Sequence, residues 1–520
     1  MPFPLWHLCS DVLAGAMIQR APLSTLPLWQ KLAGATDRLF AFCNRIASHQ
    51  PLWILAIALL LGTQSWLILS HDHWFDEWQA LLIAARSPDI ASLLDNLHYE
   101  GHPPLWHLIL RIAATALPLA AVLSGIQLVI ALSTQLLILT RAPFERFERL
   151  LVGSSYFILF EFGTVSRSLS LGALMMIAFF AVRSRGARWA LIVLLPMVDF
   201  QFGLFSVLAV ILMIRDGKWS SAGAGLWLIS GLLAAWTVIP ASDLHTTPVP
   251  VAVRIVHFVD FLSPLLMPAQ TQDNTLAWSG GLPWGLGLMI GPLFIAFSIA
   301  QAFTTRVHGL IFIAFLAGCA AFSIAVYPLG VRHLTLIALL LILLKWREVD
   351  QQRLALGAAF RIWLVVIALG GVSSVAISAT RPFDRGADVA RYIKSHGLEN
   401  KNWVSWRPER GAVVGALLGQ EVAMLDGSCR YSFVRWNFHD TIQTPQAVTA
   451  AAKRYAMEYG RSYLLTSLHP KYVSDPFLRP VAYFAPGYDG YAYTIYIIGP
   501  DLPENEKRPP RCPYNRLSRH

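Results

Sequence analysis

Between His71 and His107 the chain reads HDHWFDEWQALLIAARSPDIASLLDNLHYEGHPPLWH, a polar stretch with six acids and five histidines. Its first half carries the neighbouring acids Asp76 and Glu77, which can do general-base work by taking a proton from an attacking hydroxyl or amine. The plainer reading is that the pair caps a helix starting near Glu77, because carboxylates favour a helix N-terminus. The second half, HYEGHPP, holds Glu100 and His102 on a hinge that Gly101 frees and Pro103 and Pro104 stiffen. Histidines and acids together also raise a metal. His71/Asp72/His73 and His98/Glu100/His102 are the candidate ligands, but neither set reads as a zinc HExxH motif. We therefore expect no required cofactor and no metal ligands, with a divalent ion as the lesser reading.

The elements that must hold these residues follow from composition. Of 520 residues, 55% are hydrophobic and 14% charged, which excludes an ordinary soluble domain and indicates a polytopic α-helical membrane protein. Apolar runs suitable for about 11 transmembrane helices start at Leu52 and end near Ile377. They include Leu150 to Phe162, and a hairpin of Trp189 to Val198 with Phe202 to Ile214. Leu105 to Leu117, which carries His107 and Arg111, is expected to lie along the interface. The net charge of +10 sits in short tracts between the runs, so it sets topology and gives no nucleic-acid reading. Counting Lys and Arg at successive turns puts the N-terminus in the cytoplasm. The loop at 70–104 and everything after Arg381 then lie on the far, periplasmic side of a bacterial inner membrane. The expected order is a cytoplasmic amphipathic lead-in (1–50), a transmembrane domain (51–380), a small periplasmic α+β domain (381–505) and a disordered basic tail (506–520). Cys429 and Cys512 fall on the oxidising side, which leaves a disulfide between them open. The polar insertion from Pro240 to Trp284 could act as a lid or as a plain connector.

Four runs, FDEWQALLIAARS, LLDNLHYEGHPPLWHLIL, FEFGTVSRSLSLGALMMIAFF and YPLGVRHLTLIALLL, resemble those of GT-C glycosyltransferases. The type is similar to protein O-mannosyltransferases and the aminoarabinose transferases of lipid A. The resemblance covers roughly residues 50 to 380 and implies a GT-C-like fold using a polyprenyl-phosphate sugar donor. It also implies a lipid, glycan or protein acceptor, and a catalytic acid at Asp76 with Glu77 beside it. Substrate binding would then involve Glu100, His102, Arg167, Tyr327, Arg332 and His333. Arg167 and Arg332 suit that role physically, because a guanidinium forks onto phosphate oxygens and stabilises a leaving phosphate. Each could equally be an interfacial arginine reaching for water, and Glu161 could pair with Arg167. The competing functional classes are a transporter or flippase gated by the acidic loop, and an assembly protein that docks partners through its C-terminal domain.

Overall fold

The computed structural model describes residues 27–244, 249–268, 284–352, 354–437, 442 and 444–515. Most of the lead-in, together with His245 and Trp278 of the insertion, lies outside them. Five described helices are long and apolar enough to cross a membrane: Gln50–Leu69, Leu119–Arg141, Gly285–Ala302, Arg306–Ala325 and Ala358–Thr380. At 1.5 Å per residue their 18 to 23 residues cover a hydrocarbon core of about 30 Å.

The other expected spans are shorter or interrupted. Leu150 to Phe162 is two pieces, a helix Arg146–Gly153 and a wide helical turn Tyr156–Glu161. The break falls where the Ser155 hydroxyl accepts from the Ile158 amide at 3.3 Å, so a side chain takes over a helical hydrogen bond. Trp189 to Val198 becomes Arg185–Leu194 followed by one tight turn over Pro196. Val331–Gln352 has 22 residues, but its polar end, LysTrpArgGluValAspGlnGln, continues the helix past the apolar run.

The opening loop forms two helices, Phe75–Arg86 and Ile90–Leu97, and Leu105–Ala116 follows the proline hinge. Gly101 has φ 69°, a left-handed conformation that favours glycine, and it turns the chain into that hinge. Arg111 then reaches back and donates to the carbonyls of Ala84 (2.9 Å), Ser87 (2.7 Å) and Pro88 (3.1 Å). A cation at these orphan carbonyls stabilises the end of Phe75–Arg86 and fixes its direction.

Residues beyond Thr380 build a six-stranded sheet in the order β3-β2-β1-β4-β6-β5. The strands are β1 Trp403–Ser405, β2 Val422–Met424, β3 Arg430–Tyr431, β4 Ser462–Thr466, β5 Leu478–Phe484 and β6 Tyr493–Ile498. β1 runs parallel to both β2 and β4, while the outer pairings are antiparallel. The α+β expectation is thus refined to a mixed sheet with a parallel centre. Parallel neighbours need crossovers, which here are the helices Pro408–Leu418 and Pro445–Tyr459.

Of the expected disordered tail, 506–520, the part to residue 515 is tied to the sheet, and the rest lies outside the described residues. Cys512 is bonded to Cys429, the Cys512 amide donates to Arg430 O at 2.8 Å, and the chain is described through 515. A covalent tie across 83 residues holds a Pro/Arg-rich segment that has too few apolar side chains to order itself.

In the unreduced, unfolded protein, thiol labelling should therefore mark Cys9, Cys43 and Cys319 and spare Cys429 and Cys512. Replacing the pair with serine should cost the sheet domain at most ~4.5 kcal/mol, the chain-entropy value for a loop of that size. It should also expose the bonds after Lys507 and Arg511 to trypsin; unchanged resistance there would count against the clamp.

Candidate active site

The first span ends at Leu69, and the chain turns through His71 and His73 into the helix Phe75–Arg86. The two acids at its start go separate ways. Glu77 is fully buried and its two oxygens accept four hydrogen bonds. Oε1 meets His73 Nδ1 at 3.1 Å and the Ser166 amide at 2.6 Å. Oε2 meets His71 Nε2 at 2.8 Å and the Trp74 amide at 3.1 Å. Burial alone would raise this carboxyl, but the two histidines and their hydrogen bonds hold it far below the usual glutamate range. Capping is therefore part of what Glu77 does, through the Trp74 amide. With its lone pairs committed, it is a positioning residue, and its bond to Ser166 places the neighbouring Arg167.

Asp76 faces the other way and keeps 24% of its side chain exposed. Its Oδ2 accepts from Arg167 Nη1 and, at 2.8 Å, from Arg332 Nη1. No hydrogen bond among the described residues reaches Oδ1. Burial pushes the Asp76 carboxyl up, yet the two guanidinium groups outweigh it and hold it at about 2. Asp76 is the second residue of its helix, Arg167 immediately precedes Ser168–Ala181, and Arg332 is the second residue of Val331–Gln352. Three helix N-termini, each with partial positive charge, thus meet at one carboxylate beside two arginines, an environment that favours anions. Arg332 also lies over the Trp74 ring, 5.4 Å from its centroid.

The remaining expected residues form a second ring. Gln79, one turn after Asp76, donates to Glu100 Oε1 at 2.7 Å and to Val434 O at 2.6 Å, while its own oxygen accepts from the Val434 amide at 3.0 Å. Burial pushes the Glu100 carboxyl up, and the Gln79 hydrogen bond only partly offsets this. His102 pairs with Asp199 at 3.2 Å, and His98 Nδ1 bonds Ile239 O at 2.8 Å. His98, Glu100 and His102 thus point to three different partners and do not assemble as a metal trio. Ligand atoms of His71, His73 and Glu77 do lie within 4.8 Å of one another and could hold a metal. That chemistry would compete with the hydrogen bonds they already make.

His333 is buried, and Tyr327, 54% exposed, stands 6.5 Å from it between ring centroids, so both border the site beyond Arg332. Glu161 accepts from the Tyr156 hydroxyl at 2.5 Å, while Arg167 goes to Asp76. In the insertion, Asp243 binds the Tyr99 hydroxyl at 2.6 Å and Asn437 at 3.0 Å.

The sequence matches no protein-family profile and no curated protein. Two solved structures are similar to the chain in fold, both of ArnT from Cupriavidus metallidurans. The apo structure is 14% identical with a TM-score of 0.38, and the undecaprenyl phosphate-bound structure is 12% identical with a TM-score of 0.32. Each match covers 86% of this chain and 98% of the other.

Residues that sequence reasoning passed over are Gln79, Ser124, Asp199 and the Val434 backbone. A lone glutamine in an apolar run was the only visible signal. His73 Nε2 lies 2.9 Å from Ser124 Oγ, which completes the polar contacts of that ring.

Glu77→Gln should lose ~1–3 kcal/mol in thermal unfolding of the detergent-solubilised chain, because an amide NH₂ group then faces backbone donors in a buried site. For Asp76 the sign is set by its lowered folded value. The ion pairs stabilise the fold above the unfolded value of about 3.9 and are lost as pH falls through about 2. An infrared difference spectrum against Asp76→Asn at about pH 4 should accordingly show a carboxylate and no protonated carbonyl band.

Proposed function

We propose that the chain is a membrane glycosyltransferase that moves a sugar from a polyprenyl-phosphate donor to an acceptor at the far face of the membrane. The observation that carries the reading is the Asp76 carboxylate shared between Arg167 and Arg332. An acid and two cations from three separate helices meet beside an apolar bundle. A lipid-linked sugar phosphate needs both parts, apolar helices for its tail and cations for its head.

In this reading the donor phosphate competes with Asp76 for the two guanidinium groups. Their pull on Asp76 weakens, and its basicity rises toward that of an ordinary carboxylate. Oδ1, which the arginines leave open, accepts the proton of the acceptor hydroxyl or amine. The acceptor atom bonds to the anomeric carbon as the bond from that carbon to the phosphate oxygen breaks. The electron pair leaves with the polyprenyl phosphate, whose growing charge Arg167 and Arg332 stabilise. Attack opposite the leaving group inverts the anomeric centre. Glu77 positions Arg167 through Ser166, and Glu100 is placed on the acceptor side by Gln79. His102, Tyr327 and His333 stand where they can border substrate. The topology that fits has the Asp76 end and the sheet domain outside the cytoplasm. Arg347, paired with Asp216, then lies about 22 Å away along the same helix as Arg332.

Purified chain incubated with a polyprenyl-phosphate sugar should release polyprenyl phosphate and glycosylate an acceptor. Asp76→Asn should cut turnover ~10²-fold or more without weakening binding of polyprenyl phosphate, since the competing carboxylate is gone. Arg332→Gln should weaken that binding. Normal turnover in Asp76→Asn would remove the base assignment. Gradient-driven uptake into proteoliposomes without transfer would replace the reading with a transporter.

A further inference from the structure

A second polar concavity lies away from Asp76, where the far end of the helix Phe75–Arg86 meets the sheet domain. It has a volume of about 410 Å³, within the range of small-molecule sites. Its wall contains five cations, Arg86, Lys401, Arg430, Arg508 and Arg511, against a single acid, Glu421. Two of the cations are already neutralised. Lys401 Nζ sits 2.9 Å from both oxygens of Glu504, and Arg511 Nε sits 3.0 Å from Glu421. Arg86, Arg430 and Arg508 have no acidic partner among the described residues.

The wall also holds unused donors. Arg86 Nε and Gln420 Nε2 are buried and make no hydrogen bond. Buried donors are expected to be satisfied, so two of them on one cavity wall point to a missing acceptor. The cations are gathered at a cost, because like charges repel, and the structure shows what gathers them. The Cys429–Cys512 bond, the Arg430 amide on Pro510 O at 2.7 Å and Arg430 Nε on Pro509 O at 3.0 Å bind the tail along β3. Arg508 and Arg511 thereby stand beside Arg430. The tail is thus held, covalently and through its backbone, where its arginines meet Arg430.

We propose that this cavity is a binding site for an oligoanion, a compound bearing two or more phosphate or carboxylate groups. Arginine forks suit such oxygens, and the three unpaired arginines supply the matching charge. Asp76 and Arg86 are ten residues apart on one helix, about 15 Å, so the site is separate from the Asp76 centre. It would couple to that centre through a shared rigid helix. The proposal concerns binding and stands independently of the transferase reading.

The test is calorimetric titration of inorganic pyrophosphate into the full chain in neutral detergent, with the disulfide verified. Saturable binding should survive Arg332→Gln, which disables the Asp76 centre, and weaken at least tenfold in the Arg86→Gln, Arg508→Gln double variant. Reduction of the disulfide should weaken it in the same direction. Binding that is unsaturable, unaffected by the double variant, or abolished by Arg332→Gln overturns the proposal. Repeating the titration in nanodiscs separates the sources of the anion. Loss of binding only in discs of anionic lipid identifies a lipid headgroup, and retention in both kinds identifies a soluble oligoanion.

Discussion

Burying a carboxylate is tolerable only when its oxygens are fully met, and Glu77 is the case on which the site's order depends. Its four donors come from three places in the chain: the histidines just after the first span, the start of the loop helix, and the backbone beside Arg167. Once those are satisfied, the first span, the loop helix and the Ser168–Ala181 helix have one relative placement. Asp76, adjacent in sequence and turned outward, is thereby delivered to the arginines without any strain of its own.

The division between the two neighbouring acids is what a sequence pattern conveys poorly. The acid-rich loop, its place after the first apolar run and the interest of Arg167 and Arg332 were all legible. A scarcity of arginine on one face and the need for charge near a membrane edge single those residues out. Which acid is committed inward and which is free was not legible, because a DE dipeptide at a helix start reads the same either way. The same holds for His98, Glu100 and His102. Their spacing suggested a cluster, while the turn at Gly101 and the helix ends send them to Ile239, Gln79 and Asp199.

The fold was legible at the level of class and less so in its segments. Hydropathy locates apolar runs but cannot distinguish a crossing helix from two short ones. The break at Ser154 and Ser155 inside Leu150 to Phe162 turns on a single hydroxyl. In the soluble part, strands of two to seven residues carry little periodicity, so the parallel centre of the sheet was invisible. The tail misled for a physical reason. Its composition is that of a disordered segment, and what ties it down is a bond to a residue 83 positions earlier and the backbone contacts beside it, none of which composition shows.

The Gln79–Val434 contact has a consequence for how the chain can be rearranged. Two backbone hydrogen bonds tie the sheet domain to a side chain one helical turn from Asp76, and Arg435 adds an ion pair to Asp95 at 3.1 Å. The domain is therefore not an exchangeable cassette hung from the last span. Any chimera that grafts a different extramembrane domain after Thr380 must also supply a backbone edge for Gln79. Otherwise it leaves the buried Gln79 oxygen without its donor at the shoulder of the site. A change on either side of this turn is therefore felt on the other.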